Sequence, residues 1–304
     1  MTPPVLVRVP AKLNLWMSVG GPRADGFHDI ATVYHAVSLH DELLAEPDDV
    51  IRVTVEGRDA DQVPDGPANI AARAAHLLAG TMGIDEGVHL HIRKHIPVAA
   101  GLAGGSADAA GALVACDALW NLGLTRESLA EMAAELGSDV SFSLLGGTAI
   151  GTGRGETLTP ALARGDCRWV IATADFGLST PEVYAELDRL RAGHVLPEPF
   201  IPDRVMKALM AADPAVLGAA LGTDLQAATL SLAPSLAGVI DLGLSYGALG
   251  GLVSGSGPTV VFLARDAVHA EDLAVALEAS DQVHEVFRAH GPVPGARVVE
   301  AVRA

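Results

Sequence analysis

An α+β protein of two lobes is what this sequence predicts, on three observations. Strand-like alternation dominates the first third of the chain, and helical spacing dominates the second half. A glycine-rich loop at 97–110 joins a strand directly to a helix. With 304 residues, 50% of them hydrophobic, the chain can build one large core or two ordinary ones. The predicted division lies near 160, giving an N-terminal domain at 1–160 that carries the loop and a C-terminal domain at 161–304.

The elements follow in order. Val5, Val7 and Val9 alternate, and AKLNLWMS alternates again after Pro10, so both pieces read as strands. GGPRADG (20–26) is turn chemistry, FHDIATVYHAVSL is extended, and IRVTVEG is a short strand. NIAARAAHLLAGTM (69–82) reads as a helix with Asn69 as its N-cap. HLHIRKHI is a strand that feeds the glycine loop. Beyond the loop, Ala109, Leu113, Cys116 and Trp120 recur at helical spacing, and Leu129, Met132, Ala133 and Leu136 mark a second helix stopped by Gly137. GGTAIGTGRGETL reads as a hairpin around a glycine turn, and RWVIATA (168–174) as a strand. Helical stretches follow around 181–192, 203–211, 214–221 and 234–245. LGGLVSGSGPTVVFLA then reads strand–loop–strand, before a helix at 266–279 and two closing strands.

Composition narrows the function. Twenty basic against 37 acidic residues give a net charge of −17, which repels nucleic-acid backbones and anionic membranes but not one small anion in a locally positive pocket. Two cysteines provide neither a disulfide framework nor a Cys-rich zinc site, and suit a reducing compartment. No signal peptide and no bilayer-length apolar run is read, so the expected location is cytoplasmic. Eleven histidines show no H-E-x-x-H or similar ligand spacing, so spacing predicts no dedicated metal site.

PVAAGLAGGSADAA (97–110) has the strand–glycine loop–helix form that binds phosphate through backbone N–H groups and a helix N-terminus. It is not a Walker A loop, because Gly105 is followed by Ser106 and Ala107. Nor is it a dinucleotide fingerprint, because its glycines fall as G-x-x-G-G. Ser106 is the expected N-cap, and Asp108 is expected to point outward, away from any phosphate. A turn that merely lets the helix pack closely on its strand has the same composition. GLVSGSGPTVV (251–261) either buttresses this loop or simply turns tightly.

Lys12 and Asn14 share one strand face, opposite Leu13, Leu15 and Met17. Lys12 either snorkels to solvent or places a cation in a cleft. Asp139 reads as an N-cap of a short helix, as a proton-accepting carboxylate, or as both. Phe27 and His28 after the first turn, and Tyr184 after STPE, are either packing or ligand-binding residues.

Together these segments resemble the GHMP kinase superfamily. The loop from Pro97 to Ala110 resembles the superfamily's phosphate loop. PAKLNLWMSVGGPRADGFHDI (10–30), ELGSDVSFSLLGGTAIGTGRGE, STPEVY, TDLQ and SGSGPTVVF are similar, in the same order, to its branch acting on a cytidine diphosphate-linked sugar alcohol in non-mevalonate isoprenoid synthesis. The resemblance implies a two-lobed fold, with an N-terminal lobe of a kind shared with ribosomal proteins and a ferredoxin-like α/β C-terminal lobe. It implies an ATP-dependent kinase using Mg²⁺, with the phosphates on Pro97, Val98, Ala99, Ala100, Gly101, Leu102, Ala103, Gly104, Gly105, Ser106 and Ala107. Lys12 and Asp139 match the catalytic pair. Asn14 and His28 match substrate-pocket residues. Phe27 and Tyr184 match two aromatics that sandwich the cytosine, with Thr180 and Pro181 beside the second. The implied partners are ATP and the small-molecule substrate, with neither nucleic acid nor membrane, and the implied assembly is a monomer or weak homodimer. Ala103, Ala107 and Asp108 depart from the family's loop, where glycine and Ser-Asn are frequent, and Phe27 stands where Tyr is frequent. The competing readings are a GHMP kinase for another alcohol, such as homoserine or mevalonate, and a non-catalytic nucleotide- or RNA-binding module. The negative charge argues against RNA, and the presence of both Lys12 and Asp139 argues against a dead kinase.

Overall fold

Residues 3–301 are described by a computed structural model. Two long strands, β1 (Val5–Pro22) and β2 (His28–Asp48), pair antiparallel along most of their length. Pro10 cannot donate to a ladder, and the register shifts between Pro10 and Ala11. The two predicted pieces run on as one strand, the extra residues of this bulge, Ser38 and Leu39, lying in β2. β3 (Ile51–Gly57), helix α1 (Ile70–Met82) and β4 (Gly87–Lys94) follow, with β4 antiparallel to β2 and parallel to β3. Asn69 caps α1 as expected, its side chain accepting from the Ala71 N–H at 2.8 Å.

Helix α2 (Gly104–Leu119) is buried along most of its length. Gly111 lets it lie flat on the sheet, because a Cβ there would come within 2.7 Å of the Val9 and Leu43 side chains. α3 (Arg126–Leu136) and α4 (Ser138–Leu145) come next, then a hairpin of β5 (Thr148–Thr152) and β6 (Thr157–Pro160) that pairs with β2 as the sequence predicts.

The chain then enters a second sheet with β7 (Cys167–Thr173). Four helices and a two-residue strand follow: α5 (Thr180–Leu190), α6 (Asp203–Ala211), α7 (Pro214–Ala220), β8 (Gly222–Thr223) and α8 (Gln226–Leu232). α9 (Ser235–Ser245), β9 (Gly250–Val253), β10 (Val260–Ala264), α10 (Ala267–Glu278), β11 (Glu285–Gly291) and β12 (Arg297–Ala301) complete the fold. The sequence reading lacked α8, whose seven residues give too few turns for a periodic signal and whose start has no side-chain cap.

The second sheet runs β11-β7-β10-β9, and the first is eight-stranded along a path β12-β1-β2-β4-β3. Although the chain changes sheet between Pro160 and Cys167, β8 and β12 return to pair with β1. One apolar cluster joins Val9, Leu43, Leu90 and Leu113 of the first sheet and α2 to Trp169, Ile171 and Val261 of the second. Among the described residues, no helix is long and apolar enough to cross a membrane.

Candidate active site

The glycine loop leaves β4 and enters α2 three residues earlier than the sequence predicted. Ala103, not Ser106, holds the N-cap position, and its side chain makes no capping bond. An alanine methyl has nothing to offer the first-turn N–H groups, which are left for an external anion. Ser106 is the third helical residue and lines the cavity. Ala99 and Ala103 both hold left-handed backbone, at φ 52° and 61°, which costs roughly 1–2 kcal/mol for a residue bearing a Cβ. Gly101, at φ 72°, has no alternative, since a Cβ would lie 2.3 Å from the Ser254 carbonyl oxygen. The Ser254 hydroxyl donates to the Gly101 carbonyl at 3.1 Å, so the 251–261 loop buttresses the 97–107 glycine loop.

Asp108 does not point outward. It is 2% exposed, because Lys94 at the end of β4 reaches under the loop and donates to Asp108 at 2.7 Å and to Asp41 at 2.5 Å. Asp41 also accepts from the N–H groups of His95 and Ile96, which fixes the chain as it leaves β4. Burial pushes the Asp108 carboxyl well above the usual range, Lys94 opposes that, and Asp41 adds to it. Burial also works against the Lys94 ammonium, but the two carboxylates outweigh it and raise its pKa.

Lys12 is 6% exposed and does not snorkel. Its ammonium donates to Asn14 at 2.7 Å, lies 3.4 Å from the Asp139 carboxylate and stands 5.3 Å from the centre of the Tyr34 ring. Asn14 in turn donates to Thr32 at 2.8 Å. Asn14 is fully buried behind Lys12 and is not part of the cavity wall, in contrast to the place the resemblance implied. Asp139 lies in the first turn of α4 but caps nothing, because Gly137 occupies the N-cap position. Its carboxylate is left for Lys12 and for the cavity. Burial, then the neighbouring Asp139 charge, pushes the Tyr34 phenol well above its ordinary value and the Tyr184 phenol up to about 12.

These groups border a cavity of about 910 Å³. One end is the glycine loop, lined by Pro97, Val98, Ala99, Ala100, Gly101, Ala103, Gly104, Gly105 and Ser106, while Leu102 and Ala107 turn their side chains into the core. The other end holds Phe27, His28, Thr180, Pro181 and Tyr184. His28 and Tyr184 rings lie 4.9 Å apart, and His28 Nε2 is 3.0 Å from Asp188. Phe27 is 53% exposed, with the Arg154 guanidinium 4.8 Å from its ring centre. The Thr180 and Ser256 hydroxyls are bonded at 2.9 Å, which ties this end to the buttressing loop.

The phosphate-loop segment and α2–α4 fall inside a match to the GHMP kinases N terminal domain at residues 69–147, and the GHMP kinases C terminal domain matches residues 205–282. A 4-diphosphocytidyl-2-C-methyl-D-erythritol kinase from Salinispora tropica is 56% identical over 97% of this chain and 94% of that relative. The chain belongs to this GHMP kinase family. A relative of the same name from Thermobifida fusca is 54% identical over 97% of this chain and 98% of its own. A crystal structure of 4-(cytidine 5′-diphospho)-2C-methyl-D-erythritol kinase superposes with a TM-score of 0.77 at 32% identity, covering 93% and 98% of the two chains. A homoserine kinase from Cytophaga hutchinsonii shares the fold, with a TM-score of 0.76 at 20% identity over 98% of both chains.

For this GHMP kinase, sequence reading singled out both ends of the cavity but missed Lys94, Asp41, Tyr34, Arg154 and Asp188. Lys94 and Asp41 are 53 positions apart, and only the register of β2 on β4 brings them together. Tyr34 had a usable signal, since it directly opposes Asn14 across β1 and β2.

Proposed function

We propose that this protein transfers the γ-phosphoryl group of ATP to the 2-hydroxyl of 4-diphosphocytidyl-2-C-methyl-D-erythritol, a step of non-mevalonate isoprenoid synthesis. One observation carries the reading: the Lys12–Asp139 pair lies on a single cavity whose two ends are a helix-capped glycine loop and an aromatic cluster. Phosphoryl transfer demands positioning and charge stabilisation more than covalent help from the protein. In this reading the backbone N–H groups at the start of α2 hold the ATP phosphates. Asp139 accepts the proton of the attacking hydroxyl, and Lys12, 3.4 Å from it, offsets charge on the reacting oxygens. Phe27 and Tyr184 stack on the cytosine, and His28, oriented by Asp188, bonds its edge. Asn14 acts through Lys12 by holding its ammonium.

The oxygen donors bordering the cavity suit Mg²⁺, a hard cation that binds through one or two carboxylates plus phosphate oxygens. The Ser106 hydroxyl and the Asp139 carboxylate would hold it, and it would neutralise charge on the β- and γ-phosphates. A cytoplasmic location, a monomer or weak homodimer, and a domain division near 160 go with this reading. The test is ATP turnover with separate acceptors. Turnover that depends on the cytidylyl sugar alcohol supports the reading, and preference for homoserine or mevalonate overturns it.

A further inference from the structure

β4 carries a second cluster with its own chemistry. Val88, Leu90 and Ile92 point into the core, so His89 and His91 share the opposite face of the first sheet. Register places Glu46 of β2 opposite His89, and Thr54 of β3 opposite His91. The two imidazole centres are 3.6 Å apart. His91 Nε2 lies 2.9 Å from Glu46, and its Nδ1 lies 2.9 Å from the Thr54 hydroxyl, which also bonds His89 Nε2 at 3.0 Å. One ligand atom each from Glu46, His89 and His91 falls within 4.8 Å of the other two. None of these residues lines the large cavity.

We infer that Glu46, His89 and His91 form a Zn²⁺ site that braces β2 against β4. Zinc holds imidazole nitrogen and carboxylate oxygen at about 2.0–2.2 Å, so tetrahedral ligands sit roughly 3.4 Å apart. The three ligand atoms already lie within 4.8 Å of one another, and water would complete the fourth position. The donor set of two nitrogens and one oxygen selects a borderline cation over Mg²⁺, which prefers oxygen alone. Thr54 holds the second nitrogen of His91, the outer partner that fixes a ligating ring. Sequence spacing alone did not show this site, because its third ligand comes from another strand.

Calorimetric titration of the untagged, chelator-stripped full chain with ZnCl₂ alone tests the inference. Saturable binding of one equivalent is expected, together with a zinc-dependent rise in Tm. Thr54→Val should weaken that binding by about 10-fold or more, and His91→Ala and Glu46→Gln should abolish it. Glu46→Gln keeps the side-chain shape, and unchanged kinase turnover in each variant reports an intact fold. No saturable zinc binding overturns the inference, as does zinc affinity in the Glu46→Gln and His91→Ala variants equal to that of the unsubstituted chain.

Discussion

Asp139 and Lys12 show how residue-scale geometry separates a group open to the cavity from a buried one. The 3.4 Å contact leaves Asp139 partly open to the cavity while Lys12 stays buried against Asn14 and Tyr34. Asp139→Asn keeps the shape of the side chain and removes its basicity. We expect kcat to fall by about 10²–10⁴-fold with ATP affinity retained, as measured by steady-state kinetics and nucleotide titration. Tyr184→Ala removes a stacking face worth about 1–3 kcal/mol per base. It should raise KM for the cytidine-bearing substrate far more than KM for ATP, and equal rises would remove Tyr184 from the base site. Lys12 was legible because strand alternation fixes which side chains share a face. The role of Asp108 was not, because nothing local to ADAA reveals a lysine waiting beneath the loop.

At the scale of elements, the junction of β4, the glycine loop and α2 depends on two tight constraints. Gly101→Ala would drive a methyl into the Ser254 carbonyl and separate the two glycine loops. We expect loss of ATP binding together with a drop in Tm. Lys94→Met leaves Asp41 and Asp108 as two buried carboxylates without their cation, which costs about 3–5 kcal/mol. Burial already raises the Asp108 carboxyl, and losing the Lys94 cation that opposes this raises it further, so the folded protein would bind more protons than the unfolded chain. The variant should therefore regain stability as pH falls from neutral toward 5, which chemical denaturation at several pH values will check. The strand–loop–helix order was legible from glycine spacing and apolar periodicity. The helix start was misplaced because serine is a common N-cap, whereas here a left-handed alanine fills that position.

Over the whole molecule, the shared core makes the two sheets one cooperative unit. His35 of β2 lies fully buried at this seam, 5.8 Å from Trp169 of β7 and bonded to Thr148 of β5 at 2.9 Å. Burial holds its pKa down at about 4, against 6.5 in the unfolded chain. Its neutral form therefore favours the native state fully above pH 6.5, and that contribution is lost as pH falls through 4. The span amounts to about 3 kcal/mol. Urea unfolding should show a single transition, weaker at pH 4.5 than at pH 7, and His35→Gln should flatten that dependence. Overall lobe composition was legible from the sequence. The interlocking of the lobes was not, because the pairing of β12 with β1 joins residues nearly 300 positions apart, beyond the reach of any periodic pattern.

That pairing has a consequence for synthesis. During translation β1 leaves the ribosome long before β12, so its edge at Val5–Arg8 stays bare until residues 297–301 have been made, although β8 covers Trp16 and Met17 earlier. Until then the nascent chain carries a short bare edge beside the β1–β2 pair, exposed to other nascent chains and to holdase chaperones.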